Sequence, residues 1–226
     1  MSSASSRAGS IVSVHPELDE HTPSRLYNIY KKPFHRNYEV KSAADQILFY
    51  GEVSSFTRHK PDLTLHRGTS AHAPVVAACK FVSFARDFKL ALGDPDDELN
   101  TKWEDMTKES KLNSKYRFEV TVPNQQSESQ GERRSFLWKR TRHVGINDSK
   151  PRWSPNNFKL VDECTEEVVA VFTSGKSFHK CGKLQIKAGG YGENFDMVIL
   201  LSYLGLYEAR KRRENRSAAA GGGAGG

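Results

Sequence analysis

Residues 195–207 read FDMVILLSYLGLY, ten apolar residues in thirteen. At about 100° per residue, these ten leave no gap wider than about 60° around a helical wheel. Asp196, Ser202 and Gly205 fall in three separate directions. A helix apolar on all sides has to be covered on all sides, by protein or by lipid. At about 1.5 Å per residue its apolar part spans about 20 Å, short of the roughly 30 Å hydrocarbon layer of a bilayer. The chain also lacks any run of about 18 apolar residues, so the sheath is expected to be protein. Asn194 is placed to cap the helix start, with Asp196 in the first turn. Arg210, Lys211, Arg212 and Arg213 are placed to complement the carboxyl end of the helix dipole.

The rest of the chain supplies material for such a sheath. In KYRFEVTV, 115–122, Tyr116, Phe118, Val120 and Val122 alternate with Lys115, Arg117, Glu119 and Thr121. That period of two is a half-buried strand. The same alternation occurs in 62–66, 86–92, 157–163 and 183–187. Less regular strands are expected at 26–32, 37–41, 46–53, 75–84, 100–106, 134–142 and 167–173. The runs Val75–Cys79 and Val168–Phe172 read as strands covered on both faces. Turns at Lys60-Pro61-Asp62, Gly93-Asp94-Pro95-Asp96 and Pro123-Asn124 punctuate them. No crossover helices intervene, so antiparallel topology is expected.

Alternating strands need an apolar filling, and the helix needs an apolar sheath. Both needs are met if about twelve strands close into an antiparallel barrel around the buried C-terminal helix. Closure also removes exposed strand edges. The expected organisation is a disordered Ser-rich leader over 1–24, a mainly β barrel domain over 25–213, and a disordered Ala/Gly-rich tail over 214–226.

Four segments carry a resemblance to a known family: SFLWKRTR at 135–142, FKLVDECTEEVVAVF at 158–172, GKLQIKAGG at 182–190 and FDMVILLSYLGLYEARKRR at 195–213. With the element order of about twelve strands and one apolar helix, they resemble the tubby C-terminal-like superfamily. That superfamily includes tubby-like proteins, plant LURP-one-related proteins and phospholipid scramblases, and the likeness is greatest to uncharacterised fungal tubby-like proteins. The resemblance implies a non-enzymatic binding module, acting on anionic phospholipid such as phosphoinositide at a membrane surface or as a protein adaptor. It also brings two alternatives, a scramblase-type lipid-handling protein and a nucleic-acid-binding transcriptional regulator. Neither the diagnostic phosphoinositide-binding motif of tubby nor the calcium-binding and palmitoylated segments of scramblases are matched, and no base-reading motif is visible, so nucleic acid is not the expected partner.

Charge bears on the same choice. The chain has 34 Lys and Arg against 27 Asp and Glu, a formal charge of +7, which favours anionic partners. The densest basic run in the domain is Lys139, Arg140 and Arg142, with Arg133 and Arg134 nearby. Headgroup phosphates need several converging donors, and arginine offers a bidentate fork. These five are the candidate headgroup-binding residues. Phe136 and Trp138 share parity with Arg140 and Arg142, so inward aromatics place those two arginines at the barrel rim or past a bulge. The run at Arg210–Arg213 with Arg216 is a second basic segment, explained by helix capping, with anionic lipid or a nuclear signal as the functional readings.

Other motifs carry less. Asp94, Asp96, Asp97 and Glu98 lack the spacing of a calcium loop. Cys79, Cys164 and Cys181 form no zinc pattern, and no nucleophile–base signature surrounds the eight histidines. Gly189-Gly190-Tyr191-Gly192 reads as a tight turn rather than a phosphate cradle. No catalysis, cofactor or metal is expected. An odd number of cysteines and no visible signal peptide point to a reduced interior, cytoplasmic, membrane-peripheral or nuclear, and to a monomer.

Overall fold

A computed structural model describes residues 24–221, except 33–34, 55–56, 58–59, 83–86, 98, 100, 125–126, 143–153, 176, 178, 189–190 and 192. Expectations for residues 1–23 of the leader and for the glycines at 189, 190 and 192 lie outside the described residues, while Ser24, the last residue of the expected leader, begins a strand.

Twelve strands form a closed barrel in which every neighbour pair is antiparallel. They are β1 (Ser24–Lys31), β2 (Tyr38–Lys41), β3 (Ile47–Val53), β4 (Leu63–Arg67), β5 (Val75–Phe81), β6 (Phe88–Leu92), β7 (Trp103–Lys108), β8 (Lys115–Asn124), β9 (Ser127–Arg140), β10 (Phe158–Asp162), β11 (Val168–Ser174) and β12 (Lys180–Lys187). Each pairs with the next in sequence, and β1 closes on β12 from Ser24↔Lys187 to Tyr30↔Lys180. This is the closed barrel expected from the period-two pattern.

The helix α1 (Glu193–Gly221) fills the barrel. Phe195 through Leu206 are buried without interruption, which is what a wheel with no polar face requires. The surrounding inward residues include Tyr38, Leu63, Phe88, Met106, Phe118, Phe136, Trp138, Leu160, Phe172 and Leu184. On the β5–β6 side the helix comes close, with Gly205 facing Cys79: a Cβ there would lie 3.0 Å from Cys79 Sγ. On the opposite side Phe172 stacks on Tyr203 with ring centroids 3.9 Å apart, and Trp138 lies against Tyr203.

The two polar residues of the apolar stretch are each accounted for. Trp138 Nε1 donates to Ser202 Oγ at 3.0 Å, and Ser202 Oγ donates to the Ile199 carbonyl. Asp196 is buried, accepts from Tyr27 Oη at 2.7 Å and pairs with Arg25. Satisfaction of this kind removes the penalty of a few kcal/mol that an orphaned buried polar group carries, roughly 1–3 each. Beyond the apolar stretch, Tyr38 Oη donates to Glu208 at 2.6 Å. Arg212 ties the same turn to the wall through Asp62 at 2.6 Å and the Ser54 carbonyl at 2.7 Å.

Two expectations about the helix ends are corrected. The helix begins at Glu193, so Asn194 is inside it, and Asp196 binds the wall rather than serving the first turn alone. At the other end the helix does not stop near Arg213 but continues to Gly221, so the 214–226 segment begins as exposed helix. The reason is local: alanine is the best helix former, and Ser217–Ala220 extend a helix that is already nucleated. Arg210–Arg213 are therefore interior to the helix and do not cap it.

Candidate anion-binding site

β9 ends at Arg140, where two backbone bonds fix the chain: Arg140 N–H to the Ser114 carbonyl at 2.9 Å, and Thr141 N–H to the Asn157 carbonyl at 3.0 Å. Phe136 and Trp138 point inward and are fully buried, so Arg140, of the same parity, reaches the barrel rim. That is the placement expected from the alternation. Its Nη2 donates to the Asn113 carbonyl at 3.2 Å, and its guanidinium lies 5.9 Å from the Phe158 ring centre. Asn113 occupies the left-handed region at φ 52°, which asparagine tolerates in a turn. Arg140 Nε is buried and has no acceptor. Burial lowers its pKa, and the fields of Arg210, Arg142 and Arg213 lower it further.

Arg210 and Arg213 come from the helix, which leaves the barrel at this end. Arg210 pairs with Glu214 at 2.7 Å, one turn along. Arg213 has no ion-pair partner among the described residues. Arg140, Arg210, Arg213 and Glu214 border a cavity of about 430 Å³ at this rim. The two basic runs, separate in sequence, thus meet in space.

The five candidate residues do not form one cluster. Arg133 makes a two-pronged pair with Glu104 at 2.6 and 2.8 Å and reaches Glu119 at 3.1 Å. Hydrogen bonding to Glu104 raises the Arg133 pKa and holds the Glu104 carboxyl below its usual range. Arg134 binds Glu132 at 2.9 Å and the fully buried Asp162 at 3.0 Å. Both arginines are paired with carboxylates, Arg133 on the outer face across β7 and β8, and Arg134, of the inward parity, with the buried Asp162 of β10. Lys139 points outward, directly opposite Lys115 on β8 and Lys159 on β10. Burial and the Lys139 charge depress the Lys159 pKa. Like charges placed directly opposite repel. Arg140 and Arg142 alone of the five belong to the rim field, since Arg142 is exposed and acts on Arg140.

Sequence reasoning did not assign Arg210 and Arg213 to this site. The usable signal was topological: a helix threading the barrel brings its basic exit to one rim, and the strand parity brings Arg140 to a rim as well. A further like-charge pair lies at the end of β1, where Lys31 meets Lys211 of the helix. Burial and the neighbouring ammonium push Lys31 down to about 8.

The remaining motifs have structural partners. Asp94 Oδ1 accepts from Asp96 N–H at 3.0 Å, an ordinary turn. Tyr191 stacks on Phe195 and donates to Asp162 at 3.0 Å. The buried His66 uses Nδ1 on the Ala73 carbonyl at 2.9 Å and lies 3.4 Å from Glu52, away from the rim cavity. Among the described residues no group of three His, Cys, Asp or Glu gathers in a metal-binding arrangement, and no helix is long and apolar enough to cross a membrane. Compared with protein-family models and with characterised proteins, the chain matches none.

Proposed function

We propose that this barrel is a non-enzymatic, tubby-like binding module that holds an anionic phospholipid headgroup, of the phosphoinositide class, at a membrane surface. One observation carries the reading: Arg140, half-buried and without a carboxylate partner among the described residues, faces the charges of Arg142, Arg210 and Arg213 across one rim. A folded chain that holds like charges together carries an electrostatic cost, which a bound anion offsets. The twelve-strand barrel around an apolar helix supports the resemblance to tubby-like domains in element order.

The magnitudes suit a peripheral contact. Each basic residue near an acidic membrane contributes about 1 kcal/mol, so Arg140, Arg142 and Arg213 give a weak attraction of about 3 kcal/mol before any other contact, Arg210 being paired with Glu214. Screening then sets the salt response, because the Debye length falls from about 10 Å at 0.1 M to about 3 Å at 1 M.

Sedimentation with phosphatidylcholine vesicles, with and without phosphoinositide, tests this at low and high salt, with random duplex DNA in parallel. The expected result is binding to the acidic vesicles that disappears at 1 M salt, about 3 Å screening. Absence of binding to acidic vesicles at low salt contradicts the proposal, as does tighter binding to DNA than to vesicles.

A further inference from the structure

The rim cavity has two kinds of surface. Arg140, Arg210 and Arg213 line its edge, together with Glu214. Its floor is apolar and largely aromatic, with Phe158 from β10 and Tyr203, Leu206 and Tyr207 from the helix. A simple salt-bridging surface has no need of such a floor. Two buried polar atoms of its lining residues lack partners among the described residues: Arg140 Nε, a donor, and Asn113 Oδ1, an acceptor. The volume of about 430 Å³ falls within the range of small-molecule sites, roughly 300–1,000 Å³.

The charge balance narrows the ligand. Glu214 already neutralises Arg210, which leaves Arg140 and Arg213 without carboxylate partners among the described residues. Two uncompensated guanidiniums match a phosphate monoester, which carries roughly −1.5 to −2 near neutral pH, better than a single carboxylate. Guanidinium forks also suit phosphate oxygens geometrically.

We infer that the cavity seats one amphiphilic phosphate monoester, its phosphate between Arg140 and Arg213 and its alkyl chain or ring against Phe158 and Tyr207. This rests on the reading of the rim as an anion site and deepens it, from a charged surface to a seat for a single molecule. The same chemistry is offered by a soluble alkyl phosphate and by a membrane-embedded phosphate lipid with its chain splayed into the cavity.

Calorimetric titration with monomeric octyl phosphate, inorganic phosphate and neutral octyl glucoside separates the contributions, with acidic vesicles as the membrane arm. Each methylene removed from water tightens binding about fourfold, so octyl phosphate is expected to bind more than about tenfold tighter than inorganic phosphate. Octyl phosphate is also expected to compete with vesicles if the membrane lipid uses the same seat, and to leave vesicle binding intact if the physiological ligand is soluble. Ser217 is exposed and lines the cavity, so Ser217→Trp crowds the seat without touching the core. This variant is expected to abolish the octyl phosphate advantage and to keep inorganic phosphate binding. Arg140→Gln with Arg213→Gln is expected to weaken both phosphates.

Equal affinity for octyl phosphate and inorganic phosphate, with acidic vesicles still bound, overturns the seat and leaves the rim reading standing. Octyl glucoside binding as tightly as octyl phosphate overturns the anionic part of both. Failure of octyl phosphate to bind at all overturns the seat whatever the vesicles do.

Discussion

Arg133 and Arg140 lie on the same strand and have the same chemistry, yet their surroundings differ in kind. Arg133 is enclosed by Glu104 and Glu119, and its neighbour Arg134 by Glu132 and Asp162. Arg140 meets a backbone carbonyl, an aromatic ring and three further arginines. One end of β9 uses positive charge to join strands; at the other, Arg140 and Arg213 have no carboxylate partner among the described residues. Basic residues counted along a sequence are therefore a poor guide to a binding surface, because carboxylates such as Glu104 and Asp162 come from other strands. What marks the rim is that Arg140 and Arg213 lack a carboxylate among the described residues, not the density of arginine.

The largest expected effect that separates the two regions is at Asp162. It is fully buried and accepts from Arg134, Tyr191 and the Cys164 backbone. Asp162→Ala is expected to cost about 2–3 kcal/mol, at or just below the roughly 3–5 kcal/mol of a broken buried pair because Arg134 is partly exposed. In a domain of this size that is a fall in Tm of about 5–10 °C by thermal unfolding. An unchanged Tm would remove the distinction between a stapled and an unstapled end.

Arg133→Gln breaks an exposed pair and is expected to cost about 0.5–1 kcal/mol, read as a small fall in denaturant midpoint. The same measurement on Arg140→Gln is expected to show no loss, because the variant removes a poorly solvated charge that has no counter-ion. A larger loss at Arg140 than at Arg133 would mean that Arg140 is the structural residue of the two.

Lys31 sharpens the same contrast through pH. Its pKa is lowered to about 8 from the ordinary 10.5, chiefly by burial and then by Lys211, with Glu208 acting in the opposite sense. Between those values the folded chain holds fewer protons than the unfolded one, so this group's contribution to stability rises with pH across that window. Below about 8 the unfavourable charge is fully present. Lys31→Met is therefore expected to be more stable than wild type at neutral pH, with the advantage shrinking as pH climbs toward 10.5. Chemical denaturation of both proteins across that range checks it, and an advantage independent of pH contradicts it.

The barrel was legible in the sequence because its rules are local. Period-two alternation gives the strands, the full apolar wheel of 195–207 gives the helix, and each requires the other. Every expected strand corresponds to one that forms. The extension of the helix to Gly221 was missed because Ser217–Ala220 reads as low complexity, although alanine continues a helix readily once packing has started it. The site was half legible. Strand parity placed Arg140 at a rim, whereas the arrival of Arg210 and Arg213 there depends on where a helix emerges from a closed sheet. The pairing of Arg133 with Glu104 depends on strand register, which no run of residues near position 133 encodes.

The most direct test sets two charge-matched double variants against each other on vesicles containing phosphoinositide at low salt. Arg140→Gln with Arg213→Gln and Arg133→Gln with Arg134→Gln each remove two positive charges, so net charge alone predicts equal losses. The uncompensated rim predicts that the first variant loses most vesicle binding and the second binds close to wild type once its folded fraction is matched. Equal losses, or a greater loss from the Arg133 and Arg134 variant, would contradict the assignment of the helix-exit rim as the binding site.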